Sequence, residues 1–377
     1  MPRLVNSSAT LAVALAFIAC VTWPFFLPGE LLHRDMAVVE HFGRIAANFG
    51  AGELPARNVP QDAVLSVLPF PVILVKGLLV ASASVAAYGG WCLARLGTPQ
   101  GTTWPAVALA VCNPYVIERL LQGHWSVAVA AWWLPVLVAA SLSRRWWLAW
   151  LGLWVVSLTP TGLLLGTIAV VVCGAGRRVL TAGIALLLSM PWLVPGVIAA
   201  VRPNVSANAA MDSLAAVTMF APRAEEAVGT LGSLLSLGGI WNGHAVPDSR
   251  HVGFALFGLV LVALAMWGLR RVHRETLVPV VVVAVCGLII PLAAWLWPQG
   301  LAQVIEHVPG AGLLRDSQKF IILVLPLYLV GLGGLRHPLA LGAVALVLLQ
   351  TPDAARSVSE LRPHIDSEIN YRLAAEI

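Results

Sequence analysis

Eleven apolar runs follow one another along this chain, near 9–28, 69–94, 103–121, 125–142, 146–158, 161–175, 179–200, 251–269, 276–297, 319–335 and 338–351. A hydrocarbon core of roughly 30 Å is crossed by about 20 apolar residues in a helix. Inside a bilayer no water satisfies the backbone, so a spanning segment must be a helix or part of a closed barrel. Runs of this kind predict an all-α fold, a polytopic transmembrane helical bundle. The composition agrees: 59% of the 377 residues are hydrophobic and 11% charged. Soluble domains carry roughly 25% charged residues, which excludes a soluble globular, disordered or fibrous chain. The five cysteines all fall within apolar runs and none has metal or redox spacing, so neither a disulfide framework nor a zinc site is expected.

The fifth and sixth runs are short, and 146–175 also reads as one long helix. The basic residues decide. Arg144 and Arg145 precede the pair and Arg177 and Arg178 follow it. Two short spans broken at Thr159-Pro160-Thr161-Gly162 put both basic pairs on one side, as the positive-inside rule favours, and Pro160 supplies the break. With eleven spans that side carries Arg3, Arg95, Arg144, Arg145, Arg177, Arg178, Arg270, Arg271, Arg274 and Arg336 against one acid, Glu275. It is assigned to the cytoplasm, with the N-terminus inside and the C-terminus outside. The formal charge of +5 resolves into +9 inside, −5 outside and +1 at Lys76 within a span. It is an orientation signal and not a nucleic-acid footprint. The domain organisation expected is a membrane domain over 1–351, with exterior loops 29–68, 201–250 and 298–318, and a short exterior tail over 352–377. The bias to Arg over Lys, with abundant Ala, Val and Gly, points to a high-GC bacterium and its plasma membrane.

Polar groups concentrate outside, so the chemistry is expected there. From Asp35 onward Met36, Val39, Phe42 and Phe49 recur at helical spacing, which predicts an amphipathic helix lying on the outer surface. Asp35 reads either as its N-cap or as a general base or carboxylate for a divalent cation. Glu40 and Arg44 read as an i,i+4 pair. Arg57 and Asp62 read either as substrate contacts or as turn chemistry. Glu118 and Arg119 lie at the depth of the interface, where charges face a partner or a polar cavity. His124 beside Trp125 reads as a belt position or a proton donor. Lys76 either snorkels or faces an anion. Trp241, with Asn242, His244 and Arg250 in the same loop, offers a flat face for a sugar ring or lipid stem. Arg315, Asp316 and Lys319 precede an apolar run and read as a phosphate-binding cluster or as interfacial anchors with Asp316 as a cap. Motifs of soluble enzymes such as a P-loop, GxSxG, HExxH or Rossmann fingerprint are absent.

An exterior loop opening on Arg34-Asp35 after a first span, followed by many spans, is similar to the GT-C superfamily of integral membrane glycosyltransferases. Gly239-Ile240-Trp241-Asn242 through Val246-Pro247-Asp248-Ser249-Arg250, and Leu314-Arg315-Asp316-Ser317-Gln318-Lys319-Phe320, resemble segments of actinobacterial, mycobacterial-type envelope proteins related to the arabinofuranosyl- and mannosyltransferases. Pro55-Ala56-Arg57-Asn58 and Asn113-Pro114-Tyr115 with Glu118-Arg119 and Gly123-His124 fit the same pattern. The resemblance implies a polyprenyl-phosphate-linked sugar donor and an envelope glycan or glycolipid acceptor at the outer face. It makes Asp35 the base and gives the donor phosphate to Arg315 and Lys319. The adjacent acid pair of some GT-C enzymes is missing, and Glu40 is the nearest second acid. Two other functions fit the same cations: a transporter or flippase of a lipid-linked intermediate, and a non-catalytic scaffold binding envelope-assembly partners.

Overall fold

A computed structural model describes residues 2–51, 58–201, 213–308 and 310–365. The chain is mostly helical. Among the described residues, six segments are long and apolar enough to cross a membrane: Ser8–Phe26, Pro71–Gly97, Trp125–Leu142, Arg178–Ile198, Arg274–Leu296 and His337–Leu361.

Helix α1 (Pro2–Thr22) leads through a 3₁₀ turn to a hairpin of β1 (Leu31–His33) and β2 (Met36–Val38). Here the structure departs from the amphipathic helix expected from Asp35 onward. Leu31, Met36 and Val38 are buried while Ala37 is exposed. That is an alternation of period two, and a short apolar run supports either reading. The register pairs Leu31 with Val38 and His33 with Met36, leaving Arg34 and Asp35 as the turn. Consequently Glu40 and Arg44 do not sit on one helical face. The Glu40 amide donates to Glu30 Oε1 at 2.8 Å, and Arg44 Nε donates to the Ser66 carbonyl at 2.9 Å.

A short α2 (Gln61–Val67) precedes α3 (Pro71–Gly97). The expected third span is two half-length helices, α4 (Trp104–Val111) and α5 (Pro114–Leu121). Pro114 lacks the N–H that would continue α4. Asn113 adopts an extended conformation and its side chain accepts from the Val116 amide at 3.1 Å, capping α5. Eight residues of helix reach only about 12 Å, so neither piece crosses a bilayer alone. Next come α6 (Trp125–Leu142), α7 (Trp146–Val156) and α8 (Pro160–Cys173). The break between α7 and α8 falls at Pro160, where the sequence places it.

The chain continues through α9 (Arg178–Val201), α10 (Ser213–Met219), α11 (Gly229–Leu235), α12 (Asp248–His251), α13 (Ala255–Gly268), α14 (Arg274–Leu296) and α15 (Pro298–His307). The expected tenth span begins as a 3₁₀ segment, Ser317–Val324, and becomes α16 (Leu325–Gly333); α17 (His337–Leu349) and α18 (Ala354–Ser357) follow.

Helices α4, α5, α6 and α16 form the centre and are almost wholly buried. Close approach is secured by small residues, as is usual for helices in lipid. A Cβ on Gly89 of α3 would lie 2.6 Å from the Val136 amide of α6, and one on Gly90 would lie 2.9 Å from the Ala106 carbonyl of α4. The outer helices α1, α9, α14 and α17 expose Leu15, Leu187, Ile289 and Leu341, the surface a lipid-facing belt requires. The segment after α17 packs against the face that carries the hairpin: Val358 and Leu361 are buried, and Glu30 and His364 exchange backbone hydrogen bonds at 2.8 Å.

Candidate active site

The α5–α6 joint carries the site. The chain reverses at Gln122-Gly123-His124, and the hairpin turn rests on it. Gly123 has φ +87°, and a Cβ there would meet the His33 carbonyl at 2.5 Å and the Asp35 amide at 2.7 Å. Only glycine admits both that φ and that contact. The Asp35 amide donates to the Gln122 carbonyl at 3.2 Å. Arg34, itself at φ 49°, clamps the turn. Its guanidinium donates to the Leu121 carbonyl, to the His244 carbonyl at 2.7 Å and to Glu360 at 3.3 Å.

This clamp presents the Asp35 carboxylate, whose side chain is 55% exposed, above a buried polar network. Oδ2 accepts from Gln122 Nε2 at 2.8 Å and lies 3.0 Å from His124 Nε2. On the other side of the imidazole, Arg119 Nη1 lies 3.1 Å from His124 Nδ1. A guanidinium only donates, so Nδ1 is the acceptor. The imidazole is therefore neutral with its proton on Nε2, directed at Asp35. Burial lowers the His124 pKa, against the raising effect of Asp35, which agrees with that tautomer. The hydrogen bond from His124 in turn holds the Asp35 carboxyl below the usual carboxylate range; partial burial opposes this and Gln122 reinforces it.

Arg119 is fully buried. It grips Asp316 through two N–H groups at 2.8 and 3.2 Å and also donates to Gln318 Oε1. Lys319 Nζ lies 3.3 Å from the same carboxylate. Burial by itself would raise the Asp316 pKa, but Arg119 and Lys319 outweigh it and keep the group well below the carboxylate range. Asp316 is thus a counter-ion and not the helix cap that its position before an apolar run allows; it makes no cap hydrogen bond. Arg315 is exposed beside it, its guanidinium 4.7 Å from the Phe220 ring centre. Phe220 meets Trp241 edge to face at 4.8 Å. Asn242 Nδ2 donates to Gln122 Oε1 at 2.7 Å, which turns the Gln122 amide toward Asp35.

The structure thus brings together Arg34, Asp35, Arg119, His124, Trp241, Asn242, Arg315, Asp316 and Lys319, with the His244 carbonyl at the Arg34 clamp. Other candidates lie elsewhere. Arg250 is fully buried and paired with Glu225, Nε lying 2.9 Å from Oε1, with Ser236 as a further acceptor at 2.8 Å. Glu118, equally buried, accepts from the Ile240 amide at 3.1 Å. The Arg250–Glu225 pair closes the 221–250 loop on itself, and Glu118 ties that loop to α5. Lys76 Nζ donates to the Leu27 and Gly29 carbonyls at 2.8 and 2.7 Å, holding the chain after α1. Glu40 lies on that side and acts electrostatically on Lys76. Asp62 starts α2, where burial raises its pKa. Arg57 is outside the described residues. Among the described residues, no group of three or more His, Cys, Asp or Glu is arranged to hold a metal ion. Gln122, Gln318 and Phe220 were not singled out from the sequence. Only the first carries a signal there, a polar side chain in a connection too tight to leave it idle.

The fold and site define a mostly helical protein with segments long and apolar enough to span a membrane and a hydrogen-bonded carboxylate–imidazole–guanidinium cluster at one end. Comparison with protein-family models, curated proteins and solved structures finds no match.

Proposed function

We propose that this chain is a GT-C-like membrane glycosyltransferase, which moves a sugar from a polyprenyl-phosphate donor to an envelope glycan or glycolipid at the outer face of the bacterial plasma membrane. One observation carries the reading. A half-exposed Asp35 is coupled through His124 to the buried Arg119–Asp316–Lys319 cluster, with Arg315 and an aromatic pair alongside.

Among the described residues, the side-chain hydrogen bonds to Asp35 converge on Oδ2, which leaves Oδ1 to receive the proton of an acceptor hydroxyl. As that proton leaves, the acceptor oxygen bonds to the anomeric carbon and the bond from that carbon to the phosphate oxygen breaks. Negative charge grows on the leaving phosphate, where Lys319 and Arg315 supply cations. Trp241 and Phe220 offer an apolar wall to the sugar or to the first isoprene units. No metal is needed for this proton transfer; a divalent cation at Asp35 would compete with the acceptor hydroxyl for Oδ1.

In a deletion strain, Asp35→Asn is expected to reach the membrane but to fail to restore the missing envelope glycolipid. A general base contributes roughly 10²–10⁴-fold in rate. Full complementation by the variant overturns the assignment. A non-catalytic scaffold is the second reading, favoured by one feature: Arg119 and Lys319 are both already engaged by the Asp316 carboxylate. Complementation by Asp35→Asn together with loss on deleting the exterior loops selects it. Transport of a lipid-linked intermediate requires the cations without the base, so it predicts loss with Arg315→Ala plus Lys319→Ala but not with Asp35→Asn.

A further inference from the structure

At the opposite end of α3 from the hairpin lies a cavity of about 190 Å³, walled by α3, the end of α6 and the start of α7. Its construction is legible in the residues. Tyr88, Cys92 and Arg95 fall on one face of α3 at helical spacing. Across from them α6 presents Ala139 and Ala140, side chains too small to fill the gap. Trp91 stands at the rim, stacked on Tyr88 with ring centres 6.0 Å apart. The volume is below the roughly 300–1,000 Å³ of pockets for drug-sized ligands, and suits a headgroup.

Two guanidiniums converge on this cavity without a carboxylate. Arg145 Nη1 donates to the Tyr88 hydroxyl at 3.3 Å, and Arg95 Nη1 donates to the Pro99 carbonyl at 2.5 Å. Each partner is neutral. Among the described residues no acid forms an ion pair with either arginine. Arg145 is also the residue before α7, whose first turn has no side-chain cap. The unsatisfied amides of a helix start favour an anion at the same place. Planar, weakly hydrated guanidiniums match phosphate oxygens in pairs. Behind them the walls are apolar: Leu96, Val136 and Leu148.

We infer that this cavity binds a phosphate group, held between Arg95 and Arg145 with Tyr88 as a third polar contact. An anionic phospholipid of the leaflet at that end supplies such a phosphate with an apolar stem for the deeper wall; free inorganic phosphate supplies the same headgroup chemistry alone. The inference does not depend on the transferase reading.

The test uses the full chain, delipidated in detergent and titrated by native mass spectrometry with phosphatidylglycerol or phosphatidylcholine. A parallel thermal-shift titration uses inorganic phosphate. The expected result is retention of phosphatidylglycerol over phosphatidylcholine, weakened at least about ten-fold in Arg95→Gln plus Arg145→Gln. The control Arg177→Gln plus Arg178→Gln removes the same charge outside the cavity and is expected to bind as the unaltered protein does. Stabilisation by inorganic phosphate that the cavity double variant loses, with no lipid preference, assigns the site to a soluble anion. Should the double variant fold poorly, the exposed Arg145→Gln alone is expected to give a partial loss. Equal binding by the cavity variant, or equal loss in the control, overturns the inference.

Discussion

At the residue scale, the site depends on buried charges that satisfy one another. Arg119 is the pivot: it fixes the His124 tautomer, holds Asp316 in two-point geometry and orders Gln318. Arg119→Ala leaves Asp316 buried beside a lone lysine, and breaking a buried pair costs about 3–5 kcal/mol. The expected outcome is a large fall in thermal midpoint in detergent. Arg119→Lys is expected to rescue little, because a point charge replaces a planar fork. The pH dependence has a definite sign. The His124 pKa is lowered on folding, so its contribution is complete above the ordinary histidine value and is lost as pH falls through the folded value. The Asp35 carboxyl is also lowered, and its contribution is lost at lower pH still. A second proton on His124 would fall on Nδ1, facing the Arg119 guanidinium. Acidification below about pH 6.5 is therefore expected to destabilise the unaltered protein relative to His124→Gln. A parallel fall in both midpoints contradicts this. The identities of most of these residues were legible in the sequence as sparse charges in an apolar chain. Their partners were not, since Arg119 and Asp316 are far apart along the chain and no local spacing encodes such a pairing.

At the element scale, the hairpin and the α5–α6 joint act as one unit. The sequence marks the break before α5 through Asn113-Pro114 and the break before α8 through Pro160, because proline acts locally. It misleads at 35–49, where Met36, Val39 and Phe42 imitate a helical face. The strand pairing of Leu31 with Val38 and the seat on Gly123 are tertiary contacts, and they override that periodicity. Gly123→Ala adds a Cβ against the turn at a left-handed φ. Backbone strain of that kind costs about 1–3 kcal/mol. Here it is expected to lift the hairpin off the joint, read as faster hydrogen exchange over 31–38 with little change in α14. Unchanged exchange over 31–38 would show that the turn does not need the glycine. Asn113→Ala removes a cap worth about 1 kcal/mol and is expected to lower the thermal midpoint modestly without altering the hairpin.

At the scale of the whole molecule, two kinds of surface divide the chain. Apolar side chains are exposed around α1, α9, α14 and α17, and the polar network gathers at the end that carries the hairpin, the 221–250 loop and the tail. The apolar runs were legible because lipid imposes length and hydropathy. The fraction of them that crosses fully was not, because α4, α5 and the 3₁₀ start of the 317–333 segment are broken by capping and packing within the bundle. The orientation expected from the basic loops has a direct check. A cysteine replacing exposed Glu360 in a chain cleared of its five native cysteines is expected to react with an impermeant maleimide from outside intact cells. One replacing Arg144 is expected to react only after permeabilisation, and the reverse pattern would invert the topology. The claim that joins these scales is that Asp35 removes a proton from a sugar acceptor. The most direct test is transfer of labelled sugar from a polyprenyl-phosphate donor to envelope acceptor by the purified protein in proteoliposomes. The account predicts product from the unaltered protein and a loss of about 10²–10⁴-fold with Asp35→Asn. Equal product from both proteins, or none from a correctly folded unaltered protein given donor and acceptor, would contradict it.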